Sequence, residues 1–138
     1  MNNNSLERTL SIIKPDAIER NLETKIKKIF EDNNLTIVDS KKIKISKEEA
    51  EKFYKVHQTK SFYNDVCSYL SSGPIVVLIL EGHGAIKKNR DLMGTTNPKD
   101  AQNGTIRKRY GISIEKNSVH GSDNPENAKK EIDFFFNF

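Results

Sequence analysis

The sequence predicts an α+β fold with the element order βαββαβ and one extra helix, in which helices cover one face of a four-stranded antiparallel sheet. Two observations predict it. Apolar and β-branched residues gather in four short segments, and between these segments apolar residues recur at helical spacing. The chain has 138 residues without an internal repeat or an interdomain linker, a length that suits one core. We therefore expect a single domain over residues 1–138.

The first part of the chain alternates strands and a helix. Residues 8–14 form a predicted strand, which Pro15 ends because proline cannot donate a hydrogen bond to a neighbouring strand. Apolar residues within 22–30 have helical spacing and predict a helix that ends near 33–34. The segment 35–45 is β-rich with lysines at its polar positions, an alternation typical of a sheet edge.

Three helices and a central strand follow. Residues 46–49 have the spacing of a capping box, which predicts a helix start, and another helix is predicted over 61–70. The segment 75–80 is apolar at every position, so we expect a strand covered on both faces. A short helix over 85–93 leads into a polar segment, 94–118, which lacks periodicity and is predicted as a long functional loop.

The last helix carries an acidic residue at an unexpected place. We expect it to begin near Pro125, since proline favours the first helical position, after a short strand. Its apolar stripe consists of Ala128, Ile132 and Phe135. Glu131 falls inside this stripe, where a carboxylate is costly unless it has a partner. His120, just upstream, is the expected partner.

Charge and cysteine content limit the function classes. The formal net charge is +4 and the pI about 9.1, which favours anionic partners such as phosphorylated metabolites, nucleic acid or acidic surfaces without choosing among them. Cys67 is the single cysteine, which excludes an intramolecular disulfide, and we expect it to pack in the core. The longest apolar run is too short to span a membrane, and a reducing, cytoplasmic compartment is the simplest expectation.

Several common nucleotide and metal motifs are absent. The sequence contains neither the P-loop pattern nor the Gly-x-Gly-x-x-Gly pattern of dinucleotide-binding proteins. Its three histidines have no metal-ligand spacing with one another or with the cysteine. A protein-bound zinc site is therefore not expected.

His120 is the strongest candidate for chemistry. Histidine is basic and nucleophilic near neutral pH, and Gly121 beside it leaves room for a bulky ligand. A lone His-Gly pair is more often a surface turn, so the case depends on other residues. Lys14, Arg90, Thr96 and Arg107 could bind anions, because guanidinium groups bind phosphate through paired donors and threonine adds a neutral donor. A solvated surface charge is the alternative for each cation, since the chain has 23 Lys and Arg residues.

Two aromatic residues have both a packing and a ligand-binding interpretation. Phe62 lies at the start of its predicted helix, where a base could stack on an exposed ring, although core packing is its default role. Tyr54 could offer its hydroxyl to phosphate or simply pack.

Taken together, these residues resemble the nucleoside diphosphate kinase family. The string from Asn117 through His120, Gly121, Ser122 and Asp123 is similar to its active-site signature. Further similar segments occur in the expected order, and the resemblance covers essentially the whole chain without a gap. These segments are 7–16, 72–74, 81–82, 94–98 and 104–107.

The resemblance implies a ferredoxin-like fold and a ping-pong phosphotransfer. His120 would take the γ-phosphoryl group from a nucleoside triphosphate, usually ATP, and pass it to a nucleoside diphosphate. Glu131 would orient and polarise His120, directly or through Ser122. The residues implied to hold phosphates are Lys14, Tyr54, Arg90, Thr96 and Arg107. Lys14 would also reach the sugar. Asn117 would meet the ribose hydroxyl and Phe62 would stack on the base, which tolerates every base.

The resemblance also implies a cofactor and partners. Mg²⁺ would bridge phosphate oxygens, mainly through the nucleotide and water and without a protein cage. A homo-oligomer is implied, either tetramer or hexamer, with no membrane or specific nucleic-acid partner. The chain departs from the family at Lys60 and Ser61, where Arg-Pro is common, in the segment 21–24, which lacks a usual Gly, and at Thr95, where Glu is common. Its end at Phe138 resembles bacterial members.

Two other functions compete with this interpretation. A nucleic-acid-binding module would suit the positive charge, but no strand carries the aromatic motif of RNA-binding sheets. An inactive relative acting as a scaffold is the other possibility, and the presence of His120 disfavours it.

Overall fold

The structure, a computed structural model, describes residues 6–55, 63–113 and 116–136. Its centre is one antiparallel sheet of four strands in the order β2-β3-β1-β4. The strands are β1 (Leu6–Ile13), β2 (Thr36–Ile43), β3 (Ile75–His83) and β4 (Val119–Gly121). The predicted four-stranded antiparallel sheet is therefore confirmed, with β3 in the interior as expected.

Seven α-helices connect and cover the strands within the described ranges. They are α1 (Pro15–Glu19), α2 (Glu23–Asp32), α3 (Lys47–Phe53), α4 (Tyr63–Leu70), α5 (Ala85–Met93), α6 (Ile106–Tyr110) and α7 (Pro125–Phe136). The predictions for α2, α3, α5 and α7 agree within a few residues, and α4 agrees over the part that the structure describes. The helices α1 and α6 were not predicted, because a five-residue helix is too short to show a helical period.

The prediction that the segment 94–118 forms one long loop is therefore wrong. It contains a 3₁₀ turn at Pro98–Asp100 and then α6. The Thr105 side chain accepts a hydrogen bond from the Lys108 N–H and caps α6 at its N-terminus. These two short elements bring the polar segment back against the sheet.

Helices cover both faces of the sheet, so the expectation that they cover one face is wrong. On one face, Val76, Leu78 and Leu80 of β3 pack against α1, α2, α5 and α6. On the other face, Ile75 and Val77 pack against α3, α4 and α7. Successive side chains of a strand point to opposite faces, so a strand that is apolar at every position requires both covers. Cys67 lies in the second core and is fully buried, as expected.

The strand β2 forms one edge of the sheet, which confirms the interpretation of its lysines. Lys42 is exposed there. The register shifts between Ile37 and Asp39, where β2 bulges away from β3. Charged side chains and a bulge both discourage pairing with another chain at this edge.

The other edge carries the candidate nucleophile. His120 of β4 pairs with Ile12 of β1, and Gly121 pairs with Ser11. A Cβ at Gly121 would lie 2.3 Å from the Asn89 side chain and 2.9 Å from Met93, both on α5. A side chain at this position would therefore displace the ends of the Asn89 and Met93 side chains, which pack against the strand. Within the described residues, no helix is long and apolar enough to cross a membrane.

Candidate active site

A chain of hydrogen bonds links His120 to Glu131 and Ser122. Its Nε2 lies 2.9 Å from Oε1 of Glu131, and the Ser122 hydroxyl donates to the same oxygen at 2.8 Å. Ser122 is fixed in turn by Leu10, whose N–H donates to the Ser122 Oγ and whose carbonyl accepts from the Ser122 N–H. The structure thus gives Glu131 the partner expected from the sequence, and Ser122 supports the carboxylate from behind.

Aromatic rings restrict the His120 imidazole from the side. The Phe53 and Tyr54 rings meet it edge-to-face, with centroids 5.3 and 5.9 Å away. Both residues lie at the C-terminal end of α3. Burial raises the pKa of the Tyr54 hydroxyl, and the nearby charge of Glu131 raises it further. The hydroxyl therefore stays protonated at neutral pH and can donate a hydrogen bond.

Arg107 is a cation held almost out of solvent. Its side chain donates to the carbonyls of Gly94 and Val119 at 3.0 and 2.8 Å. The residue is 8% exposed, and burial lowers the pKa of the guanidinium to about 10. At neutral pH it is still protonated, so a desolvated positive charge lies next to the strand of His120. Such a charge is stabilised when an anion binds.

Lys14 and Asn117 form a buried polar pair at another wall of the site. The Lys14 ammonium donates to the Asn117 Oδ1 at 2.8 Å, and the Asn117 amide donates to the Thr96 carbonyl at 3.1 Å. Lys14 is 5% exposed and Asn117 2% exposed. These contacts connect the end of β1, the segment after α5 and the segment before β4.

Arg90 is placed differently from the other candidates. It is exposed on α5 and forms an ion pair with Asp123 at 2.5 Å. Asp123 was not predicted as a site residue, although it belongs to the His-Gly-Ser-Asp string. The pair orients the guanidinium at the mouth of the site, where it remains open to a ligand.

A cleft of about 420 Å³ joins these groups. Its lining includes most of the predicted site residues, namely Lys14, Tyr54, Arg90, Thr96, Arg107, Asn117, His120 and Glu131. Ser122 lies behind Glu131 and does not line the cleft. Phe62 and the departures at Lys60 and Ser61 lie outside the described residues.

Several residues that line the cleft were not predicted as site residues. They are Lys52, Phe53, Lys55, Asn127, Lys130 and Phe134. Asn127, Lys130 and Phe134 share with Glu131 one face of α7, at the spacing i, i+3, i+4 and i+7. That spacing could have identified them from the sequence once Glu131 was recognised.

Comparisons with known proteins agree closely with the fold. A family model described as nucleoside diphosphate kinase matches residues 7–138. A nucleoside diphosphate kinase from Nitratiruptor sp. is 57% identical over 131 residues, 95% of this chain and 96% of that protein. The crystal structure of the Aquifex aeolicus nucleoside diphosphate kinase matches with a TM-score of 0.94 at 38% identity, covering 96% of each chain. A halophilic nucleoside diphosphate kinase from Halobacterium salinarum, in complex with CDP, has a TM-score of 0.92 at 36% identity, covering 97% of this chain and 90% of that one.

Proposed function

The chain belongs to the nucleoside diphosphate kinase family, and from this premise we propose that it transfers the γ-phosphoryl group of a nucleoside triphosphate to a nucleoside diphosphate. The transfer is ping-pong, with a phosphohistidine at His120 as the intermediate. ATP is the usual donor. The contact of His120 with Glu131, inside a cleft lined by buried cationic groups, is the observation that carries the proposal.

The contact with Glu131 selects the attacking nitrogen. A carboxylate at 2.9 Å from Nε2 favours the tautomer in which Nε2 carries the proton. The lone pair then lies on Nδ1, which attacks the γ-phosphorus, and the bond from phosphorus to the bridging oxygen of the leaving diphosphate breaks. Glu131 stabilises the positive charge that develops on the imidazole, and Ser122 keeps Glu131 in place. The second half-reaction is the reverse, with a different nucleoside diphosphate as the acceptor.

Charge stabilisation comes from groups that already stand in position. Phosphoryl transfer depends chiefly on alignment and on neutralising the oxygens around phosphorus. Arg107 offers a desolvated guanidinium, Arg90 adds a second one at the mouth of the cleft, and Tyr54 and Thr96 donate neutral hydroxyl hydrogen bonds. Lys14 bridges the phosphates and the sugar.

The nucleoside is held by fewer polar contacts than the phosphates. We assign Asn117 to the ribose hydroxyl, beside Lys14. Phe62 is assigned to the base by the resemblance, and a stacked base presents a π-face whatever its identity. Low base selectivity follows, and the CDP in the halobacterial relative agrees with a site that accepts pyrimidines.

The site is suited to Mg²⁺ that binds together with the nucleotide. Within residues 6–55, 63–113 and 116–136, no three His, Cys, Asp or Glu side chains gather as a cation cage. Asp123 and Glu131, the carboxylates of the cleft lining, already contact Arg90 and His120. The ion would be held by phosphate oxygens and water, and when bound it would neutralise phosphate charge.

Three further proposals concern the whole protein. We propose that residues 1–138 form one domain, that the chain assembles as a homo-tetramer or homo-hexamer, and that it acts in the cytoplasm. The family supports all three. Light scattering of the purified protein would determine the subunit number.

The phosphoenzyme assay tests the proposed function. Incubation with γ-³²P-ATP should give an acid-labile label on the protein, and added GDP should discharge it as labelled GTP. His120→Ala should remove the label completely, because no other group replaces the imidazole. Lys108→Ala, an exposed residue of α6 outside the cleft, is the control and should label normally. Undiminished labelling of His120→Ala would reject His120 as the nucleophile.

A further inference from the structure

Ser118, two residues before His120, has a strained backbone. Its φ is +74°, in the left-handed region that side chains other than glycine adopt only at a cost in free energy. The Val119 N–H donates to the Asn117 carbonyl across it at 2.9 Å. This is the bond of a γ-turn, and γ-turns with positive φ are rare and strained. Surrounding contacts must therefore hold Ser118 in place.

Asp16 supplies the main side-chain contact. The Ser118 hydroxyl donates to the Asp16 Oδ2 at 3.0 Å, and Arg20 donates to the same oxygen at 3.0 Å. The Tyr69 hydroxyl donates to the other carboxylate oxygen at 2.6 Å. The Asp16 side chain is 3% exposed, so these donors replace its hydration. A buried carboxylate with several fixed donors holds its partners rigidly.

The strained turn lies directly beside the buried polar pair of Lys14 and Asn117. The Lys14 N–H donates to the Ser118 carbonyl at 2.8 Å, and the Lys14 ammonium donates to the Asn117 side chain. A change in the Ser118 backbone would therefore move both groups that we assign to the ribose. His120 has separate supports, because it pairs with Ile12 and contacts Glu131.

We infer that Asp16 is a positioning residue, which holds Ser118 in its strained turn and thereby presents Lys14 and Asn117 to the nucleotide. This role rests on the proposed function, since it assigns a purpose to the geometry of the same site. Arg20 and Tyr69 extend the support, because Arg20 also donates to the carbonyl of Tyr110 at the end of α6. The carboxylate thus fixes the turn relative to α4 and α6.

Substitutions at Ser118 separate the hydroxyl contact from the backbone strain. Ser118→Ala removes the hydroxyl but keeps the Cβ, so the turn loses its anchor while the strain remains. Ser118→Gly removes both, and glycine adopts positive φ without an anchor. We expect the KM for nucleoside diphosphate to be about tenfold higher in the alanine variant than in the glycine variant, with kcat values within about threefold of each other. Equal KM values in the two variants would overturn the inference.

A double variant then tests Asp16 itself. Asp16→Ala should raise KM about tenfold in the wild-type background and by less than about twofold in the Ser118→Gly background. A merely structural role of Asp16 would instead lower the active fraction, and hence kcat, in both backgrounds. Asp32→Ala, whose side chain is 59% exposed at the end of α2, is the matched control.

The outcomes of these assays distinguish this inference from the proposed function. A wild-type protein that forms no phosphohistidine would reject the function itself. A wild-type protein that labels normally, with a KM that Asp16→Ala leaves unchanged or raises equally in both backgrounds, would reject only the role of Asp16. If Asp16→Ala does not fold, the comparison of Ser118→Ala with Ser118→Gly decides alone.

Discussion

Glu131 lies on an apolar helical stripe, and its contacts with His120 and Ser122 explain a carboxylate at that position. A partly buried carboxylate needs polar partners to be stabilised, and those of Glu131 include the imidazole of His120 and the hydroxyl of Ser122. Both donors converge on one oxygen, Oε1. The negative charge is thereby directed at the ring that must become positive during the proposed transfer. In the proposed mechanism Glu131 acts on the nucleophile and not on the nucleotide.

The variant Glu131→Gln tests this at the residue scale. The amide keeps the shape of the carboxylate but removes its charge, so the phosphoenzyme should form at least about tenfold more slowly. The Kd for ADP should change by less than about threefold, because no phosphate contact is lost. Rapid-quench labelling measures the rate and calorimetry measures the affinity.

A neighbouring carboxylate provides the control for that experiment. Glu126 lies on the same helix, and its side chain is 79% exposed, so Glu126→Gln should match the wild type in both measurements. Losses of equal size in rate and affinity for Glu131→Gln would contradict a role confined to the nucleophile.

Single elements of this fold differ in how strongly local sequence specifies them. The helix α3 begins with a complete capping box, in which the Ser46 side chain accepts from the Glu49 N–H at 3.0 Å and Glu49 accepts from the Ser46 N–H at 2.9 Å. That signal was predictable because it lies within four residues. The helices α1 and α6 were not predictable, since each is five residues long and depends on tertiary contacts.

Ser46→Ala tests the cap at the element scale. It leaves the Glu49 N–H without its side-chain acceptor and should reduce the free energy of unfolding by about 1 kcal/mol. For a domain of this size the melting temperature should fall by about 4 °C. Thermal denaturation monitored by circular dichroism measures both. Ser68→Ala, at an exposed position of α4, should leave the melting temperature unchanged or slightly higher; an equal drop there would contradict the cap.

At the scale of the whole molecule, the site exists only because distant segments meet at one edge of the sheet. β1 supplies Lys14 just beyond its end, Tyr54 directly follows α3, and α6 contains Arg107. The short β4 places His120 among them through its pairing with β1. A ligand that touches all these segments stabilises the folded chain as a unit.

Nucleotide binding should therefore stabilise the whole protein against heat. A ligand at 100 times its Kd stabilises the folded state by about 2.7 kcal/mol. We expect ADP, GDP and CDP at equal concentration to raise the melting temperature by similar amounts, because the base contributes little discrimination. Differential scanning fluorimetry measures these shifts, and adenosine, which lacks phosphates, is the control. A shift with only one of the three bases would contradict low base selectivity.

The sequence alone determined the strands, the longer helices and the kinds of side chain that the candidate site contains. Periodicity, caps and the string around His120 are read within a few residues, so they need no knowledge of the fold. Tertiary structure decided which helices cover the second face, that Asp123 holds Arg90, and that Asp16 meets Ser118. Asp16 and Ser118 are 102 residues apart in the chain. They come together only when β4 pairs with β1, because such contacts depend on strand pairing and packing and leave no trace in local spacing.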